Sequence, residues 1–274
     1  MKVSMMVCLA AGALGAGASA QTSKLYMQDA QPYNIFNNQV RVAQGGTVNQ
    51  TFDLNSPYEH NLVVAGDIRT YGGASYGAPG YRYDVNGGFQ GQQYNPNGNY
   101  GSDAYYGPDA ATDGQNYNWS YDYGWGYVMR FDRDWQNGTV AFGYNSNLGG
   151  ITCNPQGNGG NGSLWLLETW AGQLREVDYN GNTISGPYPD GTLANGYSAL
   201  ARDPADGTLW ALQGNGSGDA WRQYDANGQF ITSGNYGWSS FTGSAEFDMN
   251  AVPAPGAAAL LGVGGLVASR RRRA

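Results

Sequence analysis

Three features of this chain predict an all-β, five-bladed β-propeller. These are a repeat of roughly 47 residues, a composition of turns and aromatic strands without helices, and two incomplete units at the ends that complete each other. The repeat is clearest in the middle. Gly149-Gly150-Ile151-Thr152-Cys153-Asn154-Pro155, Ser163-Leu164-Trp165-Leu166-Leu167, Leu174 to Gly181 and Thr183-Ile184 recur as Tyr197 to Pro204, Thr208-Leu209-Trp210-Ala211-Leu212, Trp221 to Gly228 and Phe230-Ile231. Each unit reads as four short strands, the content of one propeller blade. Weaker copies run from Tyr81 to Gly87, from Val128 to Asp132 and around Ile35-Phe36-Asn37.

Asn37, Asp84, Asp132, Asp178 and Asp225 read as hairpin anchors, spaced by 47, 48, 46 and 47 residues. Asp53, Asp109, Asn154, Asp203 and Asp248 read as the anchors that close the first strands. The hairpin near Asn37 has no first strand ahead of it, and Ser244-Ala245-Glu246-Phe247-Asp248 has no hairpin after it. The C-terminal strand is therefore expected to complete the N-terminal blade, because joining the ends through one sheet removes an open edge.

The second feature is composition. The chain holds 44 glycines, 21 tyrosines and eight tryptophans, with 13% charged residues, and no amphipathic helix is legible between Gln21 and Asn250. Long inserts at Tyr71 to Gly80, Tyr94 to Gly107 and Asn116 to Tyr127 are rich in Tyr, Gly and Asn. They read as surface loops crowding one rim of blades two and three.

The two ends carry addresses. Lys2, an apolar stretch from Val3 to Gly17 and Ala18-Ser19-Ala20 have the order of a secretory signal peptide, with cleavage expected after Ala20. Cys8 follows Val7 too early for lipoprotein processing. At the other end Val252-Pro253-Ala254-Pro255 precedes an apolar run from Gly256 to Ala268 and then Arg270, Arg271, Arg272 and Arg273. The run is short for a full membrane span and the cations form a stop-transfer flank, the pattern of a sorting or retention signal. The organisation expected is a leader at 1–20, a propeller at 21–250 and a sorting tail with a short transmembrane segment at 251–274.

This tail resembles the PEP-CTERM sorting signal of exported bacterial proteins, in which a Val-Pro-Glu-Pro motif precedes a hydrophobic segment and an Arg cluster. Ala254 stands where that motif has Glu. The resemblance covers Val252 to Arg273. It implies processing at the envelope by an exosortase-like membrane protease, attachment to the membrane through the tail until then, and association with extracellular polymer or surface proteins. It implies nothing about the domain between the ends.

Charge narrows the partners. The processed ends hold Lys2 and four arginines, so the body keeps nine basic residues against 21 acids, a net of −12. Such a surface disfavours nucleic acid and anionic lipid. Only Cys153 lies outside the leader, so no intramolecular disulfide forms in the mature chain.

Asp84-Val85-Asn86-Gly87, Asp178-Tyr179-Asn180-Gly181 and Asp225-Ala226-Asn227-Gly228 begin like calcium loops, but position 12 is Asn95, Pro189 or Tyr236 instead of Glu. An Asx-Gly turn closing each outer hairpin is the expected structure, and no metal is expected. His60 is the single histidine and cannot build a zinc site with Cys153 alone. Asn158 to Gly162 lacks the Lys-Ser/Thr of a phosphate loop and reads as a turn, so no cofactor is expected.

Two readings of function compete. Glu246 stands where other units carry Thr51, Thr152 and Ala201, and Glu168 follows the Leu-Trp strand; with Asp53 these are the acids available to a propeller glycosidase or lyase. Against this, Tyr117, Trp119, Tyr121, Tyr123, Trp125 and Tyr127 alternate with other residues. They form either one aromatic strand face, on which Tyr121, Tyr123, Trp125 and Tyr127 would stack sugar rings, or packing between blades two and three. The leading expectation is an exported, non-enzymatic binding or structural module of the cell surface or extracellular matrix, with polysaccharide as its ligand.

Overall fold

The computed structural model describes residues 23–29, 39–56, 59–72, 79–94, 109–122, 125–145, 147–214, 220–237 and 242–250. They form five four-stranded antiparallel sheets arranged as a five-bladed β-propeller. Blade one contains β1 (Leu25–Asp29), β2 (Gln39–Gln44) and β3 (Thr47–Asp53). Blade two contains β4 (Glu59–Val64), β5 (Asp67–Gly72), β6 (Gly80–Asp84) and β7 (Phe89–Tyr94). Blade three contains β8 (Ala110–Thr112), β9 (Tyr117–Asp122), β10 (Tyr127–Asp132) and β11 (Thr139–Gly143). Blade four contains β12 (Leu148–Asn154), β13 (Ser163–Glu168), β14 (Gln173–Val177) and β15 (Thr183–Pro189). Blade five contains β16 (Tyr197–Arg202), β17 (Leu209–Gln213), β18 (Ala220–Tyr224) and β19 (Phe230–Asn235).

The last strand, β20 (Thr242–Phe247), becomes the innermost strand of blade one, in the order β20-β1-β2-β3. Leu25 faces Phe247, Tyr26 faces Glu246 and Met27 faces Ala245. The ring thus closes as the end-to-end pattern predicts, with the first and last strands hydrogen-bonded in one sheet.

The core is divided among the five junctions between blades. Tyr26, Val40, Leu62, Ile68 and Tyr83 fill the junction of blades one and two, and Val63, Tyr71, Tyr94, Met129 and Trp135 fill the next. Trp119, Tyr121, Ile151, Leu164 and Leu166 join blades three and four. Trp165, Leu167, Tyr197, Leu209 and Tyr224 join blades four and five, and Leu25, Met27, Ala199, Trp210 and Phe247 close the circle. Because both faces of a blade meet a neighbour, β13 is buried at every residue: Leu164 and Leu166 point to blade three, Trp165 and Leu167 to blade five. Each large apolar side chain so buried contributes about 1.5–3 kcal/mol. The outermost strands face water, and β15 is mostly exposed.

The outer hairpins of blades two to five close as Asx turns. Asp178 Oδ1 accepts the amides of Asn180 and Asn182, each at 2.9 Å, and Asp225 Oδ1 accepts those of Asn227 (2.9 Å) and Gln229 (2.8 Å). Gly181 and Gly228 then take φ of 86° and 76°. A Cβ would lie 2.7 Å from Phe142 at Gly181 and 2.6 Å from Tyr188 at Gly228, so rings of the preceding blade pack directly on these turns. In blade three the same position is Trp135, with φ of 57° and its indole buried 5.0 Å from the Tyr71 ring. Left-handed backbone there costs roughly 1–2 kcal/mol, offset by the burial of the ring.

Several expectations about positions need correction. Asp53 ends β3, the outermost strand of its blade, and closes no first strand. Asp109 precedes β8 instead of following it; Asp113 holds the anchor position, its amide donating to Tyr117 O at 3.1 Å as that of Asp203 donates to Thr208 O at 2.8 Å. Asn37 lies outside the described residues, and the outer hairpin of blade one forms at Gln44 to Thr47 instead, through Gly45 and Gly46. Asn116 to Tyr127 is largely strand β9 and not a loop, because its alternating rings find a neighbouring blade to pack against.

The leader and the sorting residues Val252, Pro253, Ala254, Pro255 and Arg270 to Arg273 lie outside the described residues. Among the described residues, no helix is long and apolar enough to cross a membrane.

Candidate functional site

Alternating strand direction gives the propeller two faces. Turns between second and third strands, and links between blades, share the upper face; turns after first strands lie on the lower face. Both ends of the described chain meet the lower face. Ser23 Oγ donates to Asp203 Oδ1 at 2.6 Å, and beyond β20 Asp248 Oδ1 accepts the Gly66 amide at 2.8 Å while Met249 N donates to Val64 O at 3.1 Å.

The inner edge of each first strand has no partner strand, so its amides need acceptors at the axis. Asp109 supplies them. Its Oδ2 accepts the amides of Ile151 (3.1 Å) and Leu200 (2.8 Å), and its Oδ1 accepts the Ala245 amide (3.1 Å) and the Ser244 hydroxyl (2.8 Å). The Leu62 amide donates to Ser244 Oγ at 3.1 Å, so one carboxyl and one hydroxyl tie together all five blades. Asp109 is 1% exposed. Burial pushes it up to about 8, against the pull of the Leu200, Ile151 and Ala245 amides and the Ser244 hydroxyl.

Glu246 is the second axial acid. Its Oε1 accepts the Thr152 hydroxyl at 3.1 Å, and Thr152 Oγ1 in turn accepts the Arg202 amide at 3.1 Å. Burial, with Asp109 nearby, raises Glu246 well above the ordinary carboxylate range. Both acids thus bind protons more tightly than ordinary carboxylates, inside a packed axis.

The other two acids named from sequence are elsewhere. Glu168, at the end of β13, accepts from Arg175 Nε at 2.9 Å and from Tyr144 and Gln173; these donors outweigh burial and hold it below the usual range. Asp53 is exposed on the outer edge of blade one, where Gln39 Nε2 donates to its Oδ1 at 2.7 Å. Glu246, Glu168 and Asp53 therefore do not converge. Cys153 is buried, with its sulfur 3.3 Å from the Tyr179 hydroxyl, and burial pushes the thiol up.

The alternating rings divide between two strands. Trp119 and Tyr121 on β9 are buried against blade four, with Trp119 stacked on Tyr179 at 4.8 Å. The packing expected between blades two and three is thus found one junction further on. Tyr123 lies outside the described residues. Trp125, in the turn to β10, is 61% exposed, and Tyr127 is exposed across from Gly143, which has no side chain to cover it. Tyr117 is exposed too, under the Arg130 guanidinium at 4.7 Å.

Sequence reasoning missed a companion ring. Trp170, in the turn between β13 and β14, is 77% exposed. Aligning these turns between repeats would have found it: Trp125-Gly126 in blade three corresponds to Trp170-Ala171-Gly172 in blade four. The correspondence is geometric as well. Gly126 and Gly172 take φ of 68° and 61°, and their carbonyls accept Tyr144 N at 2.6 Å and Asp190 N at 2.7 Å, each just after the fourth strand.

A cleft of about 350 Å³ opens between the outer strands of blades four and five, lined by Tyr188, Asp190, Arg222, Tyr224 and Phe230 among others. Its polar groups satisfy one another. Asp190 Oδ2 accepts from Arg222 at 2.7 Å and from the Tyr224 hydroxyl at 2.9 Å, and the guanidinium lies 4.1 Å from the Phe230 ring centre.

These features define the class: a closed five-bladed β-propeller with an acid-pinned axis and two solvent-facing indoles, Trp125 and Trp170, on the upper face. Comparison with solved structures agrees on the fold. The chain superposes on a nidogen/laminin complex with a TM-score of 0.51 at 9% identity, covering 83% of this chain and 99% of that one. It is also similar to apo AztD from Citrobacter koseri (TM-score 0.49, 10% identity, 85% and 100% covered) and to virginiamycin B lyase from Staphylococcus aureus (0.44, 14%, 75% and 69%). At these identities the likeness is one of fold alone. No protein family matches the chain, and no curated protein is similar to it.

Proposed function

We propose that this chain is an exported, non-enzymatic β-propeller of a bacterial cell envelope or extracellular matrix, a binding module for extracellular polymer that an exosortase-like protease processes at its tail. The observation that carries the reading is the state of the axis. The two acids that converge there, Asp109 and Glu246, are 1% and 0% exposed, and Asp109 is occupied on both oxygens by neighbouring blades. A glycosidase needs two carboxyls about 5–9.5 Å apart with room between them for a sugar. These acids fasten the ring instead.

The second reading, a glycoside hydrolase or lyase acting on extracellular polysaccharide, draws on that same convergence of acids. Burial of both and the scattering of Glu168 and Asp53 weigh against it. Export is supported by the order of residues at both ends: a charged, apolar, Ala-Ser-Ala leader, and a Pro-motif, apolar run and Arg cluster in the tail. The experiment is expression of the full chain in a PEP-CTERM-bearing bacterium, with cell fractionation and mass spectrometry of the mature ends. The reading expects a surface or matrix product lacking residues 1–20 and the Arg cluster. A full-length cytoplasmic product contradicts it.

A further inference from the structure

We infer that Trp125 and Trp170 form a two-blade platform on the upper face that takes a neutral polysaccharide chain; the inference rests on the binding reading above and assigns it a site and a ligand class. Four tryptophans, Trp119, Trp135, Trp165 and Trp210, are among the largest fully buried side chains, so this fold has places for indoles inside. Trp125 and Trp170 are instead held out in water, at 61% and 77% exposure, on matching turns of adjacent blades.

Hydrogen bonds hold the described residues of both turns. The Trp125 amide donates to Asp122 Oδ1 at 3.1 Å, and Gly126 N to Asp122 O at 2.9 Å. In blade four, Gly172 N donates to Thr169 O at 3.1 Å, and Thr169 Oγ1 donates to Tyr197 O at 2.8 Å, tying the turn to the first strand of blade five. Backbone hydrogen bonds at Trp125, Gly126 and Gly172 reduce the freedom lost when the rings are engaged, which lowers the entropic cost of binding.

The surroundings select the ligand. Gly126, Thr169, Ala171 and Gly172 are the sequence neighbours of the rings, small or polar residues that leave the indole faces uncrowded. Separate indole faces suit pyranose rings, whose C–H faces stack on them. The body of the chain carries nine basic residues against 21 acids, which disfavours an acidic polymer. Asp248 and Met249, next to the tail in sequence, sit on the lower face, so attachment through the tail would put this platform on the side away from the membrane.

The test is depletion of the full chain from solution by cellulose, curdlan and chitin, with alginate gel as the acidic polymer, using wild type, Trp125→Ala, Trp170→Ala, the double variant, and both Trp→Phe variants. Reducing-end release is followed in the same tubes. The platform predicts retention on at least one neutral polymer and little on alginate. It further predicts about tenfold weaker retention for each Ala variant, roughly one stacked ring each, near-complete loss in the double variant and partial retention with Phe. Both side chains are exposed, so unchanged far-UV circular dichroism is expected throughout. Neutral-polymer binding that survives the double variant, binding to alginate alone, or binding to none of the polymers overturns the platform. Polymer retained with reducing ends released contradicts the non-enzymatic reading and leaves the platform standing.

Discussion

Asp109 Oδ2 accepts the amide of Leu200 at 2.8 Å, joining blade three to blade five across the axis and across 91 positions of sequence. The same carboxyl takes the amides of Ile151 and Ala245. A ring of blades without disulfides needs such a fastener, because each inner strand presents an unpaired edge. Replacement by Ala strands three buried amides, each at about 1–3 kcal/mol. Asp109→Ala is therefore expected to lose about 3–5 kcal/mol in urea unfolding followed by tryptophan fluorescence. Asp53→Ala, on the exposed outer strand, is expected to stay within about 0.5 kcal/mol.

Stability should fall as the solution becomes alkaline. Burial pushes Glu59 up to about 7 and Asp109 up to about 8, and raises Glu246 well above its ordinary range. Each keeps its proton when folded at pH values where the unfolded chain has lost it, so the folded state binds more protons between about pH 4 and 8. Their contribution is complete below the unfolded values and is lost as pH rises through the folded ones. Glu168, held low, acts in the opposite sense, and its contribution is lost on acidification below the ordinary carboxylate range. The urea midpoint is expected to be higher at pH 5 than at pH 8.5, with a flatter slope in Asp109→Asn.

Ring closure depends on β20. Removing residues 242–250 exposes the inner edge of β1 and deletes Ala245, Phe247 and Glu246 from the junction and the axis. Such a chain is expected to lose cooperative unfolding and near-UV circular dichroism. Retention of both would mean that closure contributes little.

Gly228 and Gly45 separate backbone strain from collision. Both take positive φ, at 76° and 62°, but a Cβ meets the Tyr188 ring at 2.6 Å in the first and nothing within 4 Å in the second. Gly45→Ala is expected to cost about 1 kcal/mol and Gly228→Ala about 2–3 kcal/mol, measured by thermal unfolding.

The architecture was legible where the repeat is strongest. Blades four and five share Leu-Trp second strands and Asp-x-Asn-Gly turns, and the orphan strand Ser244 to Asp248 pointed to closure. Blade one is less legible because its outer hairpin uses Gly45-Gly46 in place of an Asp-led turn, so Asp53 ends the outermost strand instead of a first strand. Asp109 was visible as a repeated acid but not as the axial pin, since hydrogen bonding to three other blades leaves no local pattern. The aromatic run from Tyr117 to Tyr127 suggested one strand because its alternation continues through the turn that contains Trp125.

If, as we propose, Asp109 and Glu246 fasten the ring and do no chemistry, a polysaccharide that the chain binds is left intact. The most direct measurement is reducing-end release from curdlan and cellulose by the purified chain and by Glu246→Gln, at pH 5 and pH 7. Release at the level of buffer is expected for both, with the variant altered only in its unfolding midpoint. Release by wild type that disappears in Glu246→Gln, with the fold intact, would contradict it.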